Sequence, residues 1–217
     1  RVKQHGRADC LTDIQSNSTL SRRKALTAAL LFSRRFKQQS PEQNIGLLLP
    51  TSSACLLANM GAFISGKTVI NLNFTSHLDA LLSAINNAEI KTIYTSRKFI
   101  NKLAKKGVEL DALFGLAAPV YLEDIHQNIS KSEQVITLLS TYFLPSSWLI
   151  NLFGKSVNIH SPAAILFSSG SEGEPKGVVL SHQNIMGNIK QVSDVLDTRH
   201  DDVMVASLPL FHAFGLT

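Results

Sequence analysis

Cysteine is scarce in this chain, and the two present, Cys10 and Cys55, stand far apart with neither Cys-x-x-Cys nor metal-ligand spacing. That excludes a disulfide-stapled miniature fold and a zinc module; reduced thiols in a cytoplasmic setting are the simplest account. Tryptophan occurs once and tyrosine three times. With so few aromatic platforms and no recognised motif, the net charge of +5 does not point to nucleic acid. There is no internal repeat and no low-complexity tract. The stretch "VITLLSTYFLPSSWLINLF", Val135 to Phe153, has no charged residue, but the proline at its centre would break a membrane-spanning helix. A bent apolar hairpin is expected there, inside an insert at about 131–155. It either packs on the core or lies in a membrane interface with Tyr142 and Trp148 at headgroup depth.

What the chain does have is 217 residues with 44% hydrophobic content, enough for one sizeable core or for part of a large domain. It starts at Arg1 without an initiator methionine and stops at Thr217 directly after a motif, so a segment of a longer protein is expected. Basic residues concentrate in "RRKALTAALLFSRRFK", where Arg22, Arg23, Lys24, Arg34, Arg35 and Lys37 bracket an apolar centre. A solvated basic helix face is the ordinary reading; attraction to anionic lipid or to an acidic protein partner is the other.

The hydrophobic periodicity alternates between two patterns. Ser18, Thr19 or Ser21 is expected to cap a helix running to about Gln39, and "NIGLLLP" reads as a buried parallel strand. A helix over about 52–65 stops at Gly66; "TVINLN" is the next strand; Thr75 or Ser76 opens a helix with Leu78, Leu81, Leu82, Ile85 and Ala88 on one face. "KTIYTS" is a strand, 97–106 a basic helix, and "PVYLED" and "AAILFSS" are strands. Ser181 caps a helix carrying Ile185, Ile189, Val192 and Leu196, and "DVMVASLPL" reads as a last strand. Strands separated by helices imply parallel βαβ units with right-handed crossovers. The predicted fold class is α/β, an open, doubly wound, mainly parallel sheet, with ligands outside the carboxyl ends of its strands.

At one such end lies "ILFSSGSEGEPKG", Ile165 to Gly177. Glycines allow close approach to the main chain, hydroxyls donate hydrogen bonds, and a lysine adds a point charge, a combination suited to phosphate. Gly170 to Gly177 reads G-S-E-G-E-P-K-G, a near miss to the Walker A loop. Lys176 leads into the apolar "GVVL" rather than a helix, so the pattern is strand, loop, strand. On composition alone, a surface hairpin turn is the competing reading.

The loop resembles the signature T-S-G-[ST]-T-G-x-P-K-G of the adenylate-forming enzymes, and "LPLFHAFGLT", Leu208 to Thr217, is similar to a second motif of that family. "NMGAFISGKTVINLNFT" resembles the family more weakly. "NLNFT", "YLED" and the Ser-Glu-Gly form of the loop look most like the branch of acyl-acyl-carrier-protein synthetases found in bifunctional 2-acylglycerophosphoethanolamine acyltransferases. The resemblance implies that residues 1–217 form the amino-terminal part of an AMP-binding large domain, with the carboxy-terminal lobe absent. It implies an acid–thiol ligase that uses ATP and Mg2+ to convert a fatty acid to acyl-adenylate. The acyl group would then pass to acyl carrier protein in phospholipid reacylation, or to CoA in a fatty acyl-CoA synthetase. A nucleotide-binding domain without chemistry is the alternative. It further implies a location in the cytoplasm or on the cytoplasmic side of a bacterial inner membrane, with peripheral membrane contact.

Residue by residue, the resemblance gives Ser168, Ser169 and Ser171 as donors to phosphate oxygens and Gly170 and Gly173 as points of close approach. Lys176 is the catalytic cation facing the leaving pyrophosphate, and His212 lies beside the acyl and carboxylate site. Glu172 stands where most members carry a hydroxyl; a carboxylate there must turn from the phosphates or meet magnesium. The magnesium-ligating glutamate, the ribose-binding aspartate and a second catalytic lysine are expected beyond Thr217, so no metal ligand is named. His160, His182 and His200 have no such context.

Overall fold

The structure, a computed structural model, describes residues 5–108, 110–167, 175–199 and 202–216. An antiparallel hairpin comes first, β1 (Asp9–Asp13) and β2 (Ser18–Ser21). The sequence reading took Ser18 and Thr19 as candidate helix caps; they belong to this hairpin, and Ser21 is the cap, accepting from the Lys24 amide. Helix α1 follows (Arg22–Gln39), then β3 (Asn44–Leu48), α2 (Ser53–Ser65), β4 (Thr68–Asn71), α3 (Leu78–Asn87) and β5 (Thr92–Thr95). The chain continues with α4 (Arg97–Ala104), α5 (Leu110–Leu116), β6 (Ala118–Tyr121), α6 (Leu122–Gln127), α7 (Lys131–Phe143) and α8 (Ser146–Phe153). It ends with β7 (Pro162–Phe167), β8 (Gly177–Ser181), α9 (His182–Val195) and α10 (Ala213–Leu216).

The main sheet has the order β6-β5-β3-β4-β7-β8, parallel throughout except for the last pair. Its central strands are buried along their length, Asn44 at the start of β3 being the partly exposed exception, because both faces are covered. The strand period of two sends Ile45, Leu47, Val69 and Tyr94 to one face, where Phe36 of α1, Ala58 and Ala62 of α2 and Ile125 of α6 meet them. Leu48, Ile70 and Ile93 go to the other face, against Leu81 and Ile85 of α3, Phe99 of α4 and Leu113 of α5. Travel from β3 to β4 uses α2 on the first face, whereas the reversed step from β4 to β5 uses α3 on the second. Direction and face switch together, as a single crossover handedness demands.

Several boundaries follow directly from local chemistry. Ser52 caps α2 by accepting from the Cys55 amide, and Gly66 ends it in the left-handed region at φ 73°, where glycine carries no Cβ penalty. Asp13 adds a second anchor, its Oδ2 accepting from both the amide and the hydroxyl of Ser53 at 2.9 Å.

Three expectations need correction. "PVYLED" is a strand only to Tyr121; Leu122 and Ile125 bury one face of a helical turn whose first residues, Glu123 and Asp124, suit a helix amino terminus. Thr75 and Ser76 lie in the turn before α3, and the residue at its cap position is His77. "DVMVASLPL", residues 202–210, forms no strand: Val203 is 92% exposed, and β-forming residues without a packed face or a partner edge do not make one. Helix α9 follows Ser181 as expected, and of its apolar residues Ile185 is buried.

The basic residues of α1 are also not simply solvated. Arg23 is buried, donates to the Thr141 carbonyl at 2.7 Å, and lies 3.7 Å from the Tyr142 ring centroid. Arg35 pairs with Glu133 at 2.5 Å, and Lys37 donates to the Gly154 carbonyl at 2.6 Å. These contacts clamp the uncharged stretch, which is the bent helical pair expected, broken at Pro145. Leu149 and Phe153 pack on Leu30 of α1, while Val135, Ile136, Leu139, Phe143 and Trp148 remain exposed.

Candidate active site

The loop stem is well determined by its sequence. Ala163 and Ala164 of β7 are fully buried beside β4, and Ile165, Leu166 and Phe167 pair with Val179, Val178 and Gly177 of β8. A Cβ at Gly177 would sit 3.1 Å from Ile165 Cγ2 and 3.2 Å from the Phe167 ring. A side chain there would require Ile165 and the Phe167 ring to shift by a few tenths of an ångström. Strand, loop and strand therefore follow as read, with Lys176 exposed immediately before the closing glycine. Ser168, Ser169, Gly170, Ser171, Glu172 and Gly173 lie outside the described residues.

Beyond β8, Ser181 and Asn184 form a capping box: the Ser181 hydroxyl accepts from the Asn184 amide at 3.1 Å, and the Asn184 side chain accepts from the Ser181 amide at 3.0 Å. This fixes α9 directly onto the loop hairpin. His182 follows, its imidazole edge-on to Phe63 with centroids 6.0 Å apart. Burial pushes its pKa down, which keeps the ring neutral at physiological pH.

His212 lies on an exposed turn at the same edge of the sheet. Its carbonyl accepts from the amides of Gly215 and Leu216 at 3.0 Å, which starts α10. The turn is tied down by its neighbours: Leu210 and Leu216 pack on the first core cluster, and Phe211 is buried against Phe74, centroids 5.2 Å apart. Phe74 follows the carboxyl end of β4 and packs on the second cluster, as does Phe167 at the loop stem. The two motifs, far apart in sequence, thus both reach the carboxyl edge of β4 and β7, where Phe74 and Phe167 pack on the same core cluster.

Sequence reasoning assigned no role to Phe74, although "NLNFT" had marked the segment. Nor did it find the reciprocal amide pair at the end of β4, where Asn71 Nδ2 donates to Asn59 Oδ1 at 2.8 Å and Asn59 Nδ2 donates to Asn71 Oδ1 at 3.1 Å. Both are buried, so the pair ties α2 to the strand with its polar groups satisfied. Beside it, burial pushes the Cys55 thiol up to about 12, which rules it out as a nucleophile.

The described residues fit a phosphate loop, since the hairpin closes without a side chain at Gly177 and sets a lysine at its rim. Among the described residues no group of three or more His, Cys, Asp or Glu converges.

The family model for AMP-binding enzymes matches residues 1–217. The chain is 25% identical over 191 residues to long-chain-fatty-acid–CoA ligase 1 of Homo sapiens, covering 85% of this chain and 27% of that protein. Among solved structures it resembles VinN, with a TM-score of 0.76 at 19% identity, covering 99% of this chain and 52% of VinN. ATP-bound MatB from Rhodopseudomonas palustris gives a TM-score of 0.67 at 19% identity, covering 93% of this chain and 37% of MatB. These likenesses show a shared fold, and the chain spans about a quarter of the length of the curated relative and half that of VinN. This chain belongs to the AMP-binding enzyme family.

Proposed function

We propose that this chain supplies the phosphate-holding part of an acid–thiol ligase that converts a fatty acid and ATP to acyl-adenylate and pyrophosphate. The observation that supports the reading is that the hairpin closed by Phe167 and Gly177 and the turn held by Phe211 on Phe74 both lie at the carboxyl edge of the sheet. In the reaction a carboxylate oxygen bonds to the α-phosphorus while the bond to the pyrophosphate oxygen breaks. No protein nucleophile is required; what matters is orientation and stabilisation of charge. Lys176 faces the departing pyrophosphate, Ser168, Ser169 and Ser171 donate to phosphate oxygens, and Gly170 and Gly173 let the main chain approach. Glu172 turns its carboxylate away from the phosphates or toward magnesium. The exposed His212 borders the carboxylate end of the substrate. Magnesium, when bound, offsets charge on the triphosphate.

The names of the curated relatives favour fatty acids as substrates and CoA as acceptor. The Ser-Glu-Gly loop and "YLED" favour acyl carrier protein and phospholipid reacylation at the cytoplasmic face of a bacterial inner membrane. No helix among the described residues is long and apolar enough to cross a membrane; membrane contact, in this reading, is peripheral and made by the exposed apolar face of α7 and α8. Fatty-acid-dependent exchange of labelled pyrophosphate into ATP by the full chain tests adenylation. Supplying acyl carrier protein or CoA then identifies the acceptor. ATP binding without exchange would leave the non-catalytic alternative.

A further inference from the structure

Away from the loop and the His212 turn, a groove of about 480 Å3 runs between α1, α6 and α7, within the ~300–1,000 Å3 range of small-molecule sites. Ala28, Leu31 and Phe32 of α1, Ile125 of α6, Ile129 of the link that follows it and Leu138 of α7 form its apolar walls. Its basic lining residues, Lys24 and His126, are both exposed. Lys24 differs from the other cations of α1. Arg34 and Arg35 pair with Glu133, the acid of α7, and Lys37 holds the Gly154 carbonyl; among the described residues no carboxylate pairs with Lys24. An uncompensated cation beside a mainly apolar trough, whose other polar lining residues are Thr27, His126 and Gln134, suits a single-chain anionic amphiphile: the chain gains from leaving water, and the head group stays solvated beside the charge. Val135 lines the groove and is also part of the exposed apolar face of α7, so the trough is continuous with that face.

We propose that this groove binds a free long-chain fatty acid, with its tail between α1 and α7 and its carboxylate beside Lys24, at a place separate from the adenylation site. The proposal does not depend on the adenylation chemistry. Its test uses the full chain with the adenylation site saturated by a non-hydrolysable acyl-adenylate mimic, and follows binding of cis-parinaric acid by fluorescence. Displacement by a saturated fatty acid, by the alcohol of equal length and by a lysophospholipid then separates the sources.

Binding of parinaric acid should persist in the presence of the mimic, with fatty acid the best competitor. Lys24→Glu should weaken the fatty acid about fivefold, the order of one partly exposed charge pair, and leave the alcohol unchanged. Ala28→Trp fills the trough and should weaken acid and alcohol alike by about tenfold or more; circular dichroism checks that it folds. Lys102→Glu, on α4, should change nothing. Complete displacement by the mimic, an equal effect of Lys24→Glu on acid and alcohol, or stronger competition by lysophospholipid would each overturn the proposal.

Discussion

Phe211 meets Phe74 edge to face, with ring centroids 5.2 Å apart and planes at 89°, and Phe74 meets Phe99 in the same way at 4.9 Å and 78°. Such pairs contribute about 0.5–1.5 kcal/mol beyond the area they bury. Here they join the His212 turn to the end of β4 and to α4, so an exposed histidine stands on a fixed base. Phe74→Ala should remove both contacts and cost about 2–3 kcal/mol, below the full range for a buried phenylalanine because Phe74 is only partly buried. Thermal unfolding should fall by about 4–12 °C, with Phe74→Leu recovering part of it. An unchanged midpoint would show that the aromatic relay does not hold the turn.

Gly177 makes a sharper steric prediction. Gly177→Val forces the new side chain into the Phe167 ring and Ile165, and should destabilise the loop hairpin by about 1–3 kcal/mol. Hydrogen exchange of the Val178 and Val179 amides should speed up locally. Wild-type protection in the variant would mean that the close approach is not needed.

Asp13 gives a pH dependence whose sign is fixed. Hydrogen bonding by the Ser53 amide, followed by the Ser53 hydroxyl and the amides of Ser16 and Gln15, holds its carboxyl below the ordinary carboxylate value, with slight burial opposing. The stabilisation is therefore full above the unfolded value of about 3.9 and is lost as pH falls through the lower folded one. Asp13→Asn should lower the unfolding midpoint at pH 7 and reduce the difference in midpoint between pH 7 and pH 3. Equal pH dependence in the two proteins would contradict this.

Trp148 is the sole tryptophan of the chain and is 63% exposed. If α7 and α8 rest on a bilayer surface, adding anionic vesicles should shift its emission to the blue, and Phe143→Asp should abolish the shift. Unaltered emission with vesicles in excess would leave the pair as core packing alone.

The parts of this architecture that were legible in the sequence are those where local chemistry and burial agree. Continuous apolar runs ending at Pro50 or Gly66 gave the central strands and α2 because both sheet faces are covered. Ser21 and Ser181, both read as caps, each hold a helix start with a side-chain acceptor. The misreadings arose where tertiary contacts decide. Val203 and Val205 favour a strand but have no packed surface, and Arg23 looks like a solvated cation until the Thr141 carbonyl and the Tyr142 ring close around it. The strand pairing on either side of the loop was readable from its apolar flanks, but the packing that sets the His212 turn at the same sheet edge was not. That packing depends on Phe74 and Phe211, which lie far apart along the chain.

Pyrophosphate exchange by Lys176→Ala in the full-length enzyme tests the central claim most directly. Lys176 is exposed, so its truncation opens no core cavity and should leave thermal unfolding unchanged. Loss of one charge-assisted phosphate contact should cost about 1.5–3 kcal/mol, a fall in fatty-acid-dependent exchange of roughly 10- to 150-fold. Exchange at the wild-type rate in the folded variant would contradict the assignment of this hairpin as the phosphate site.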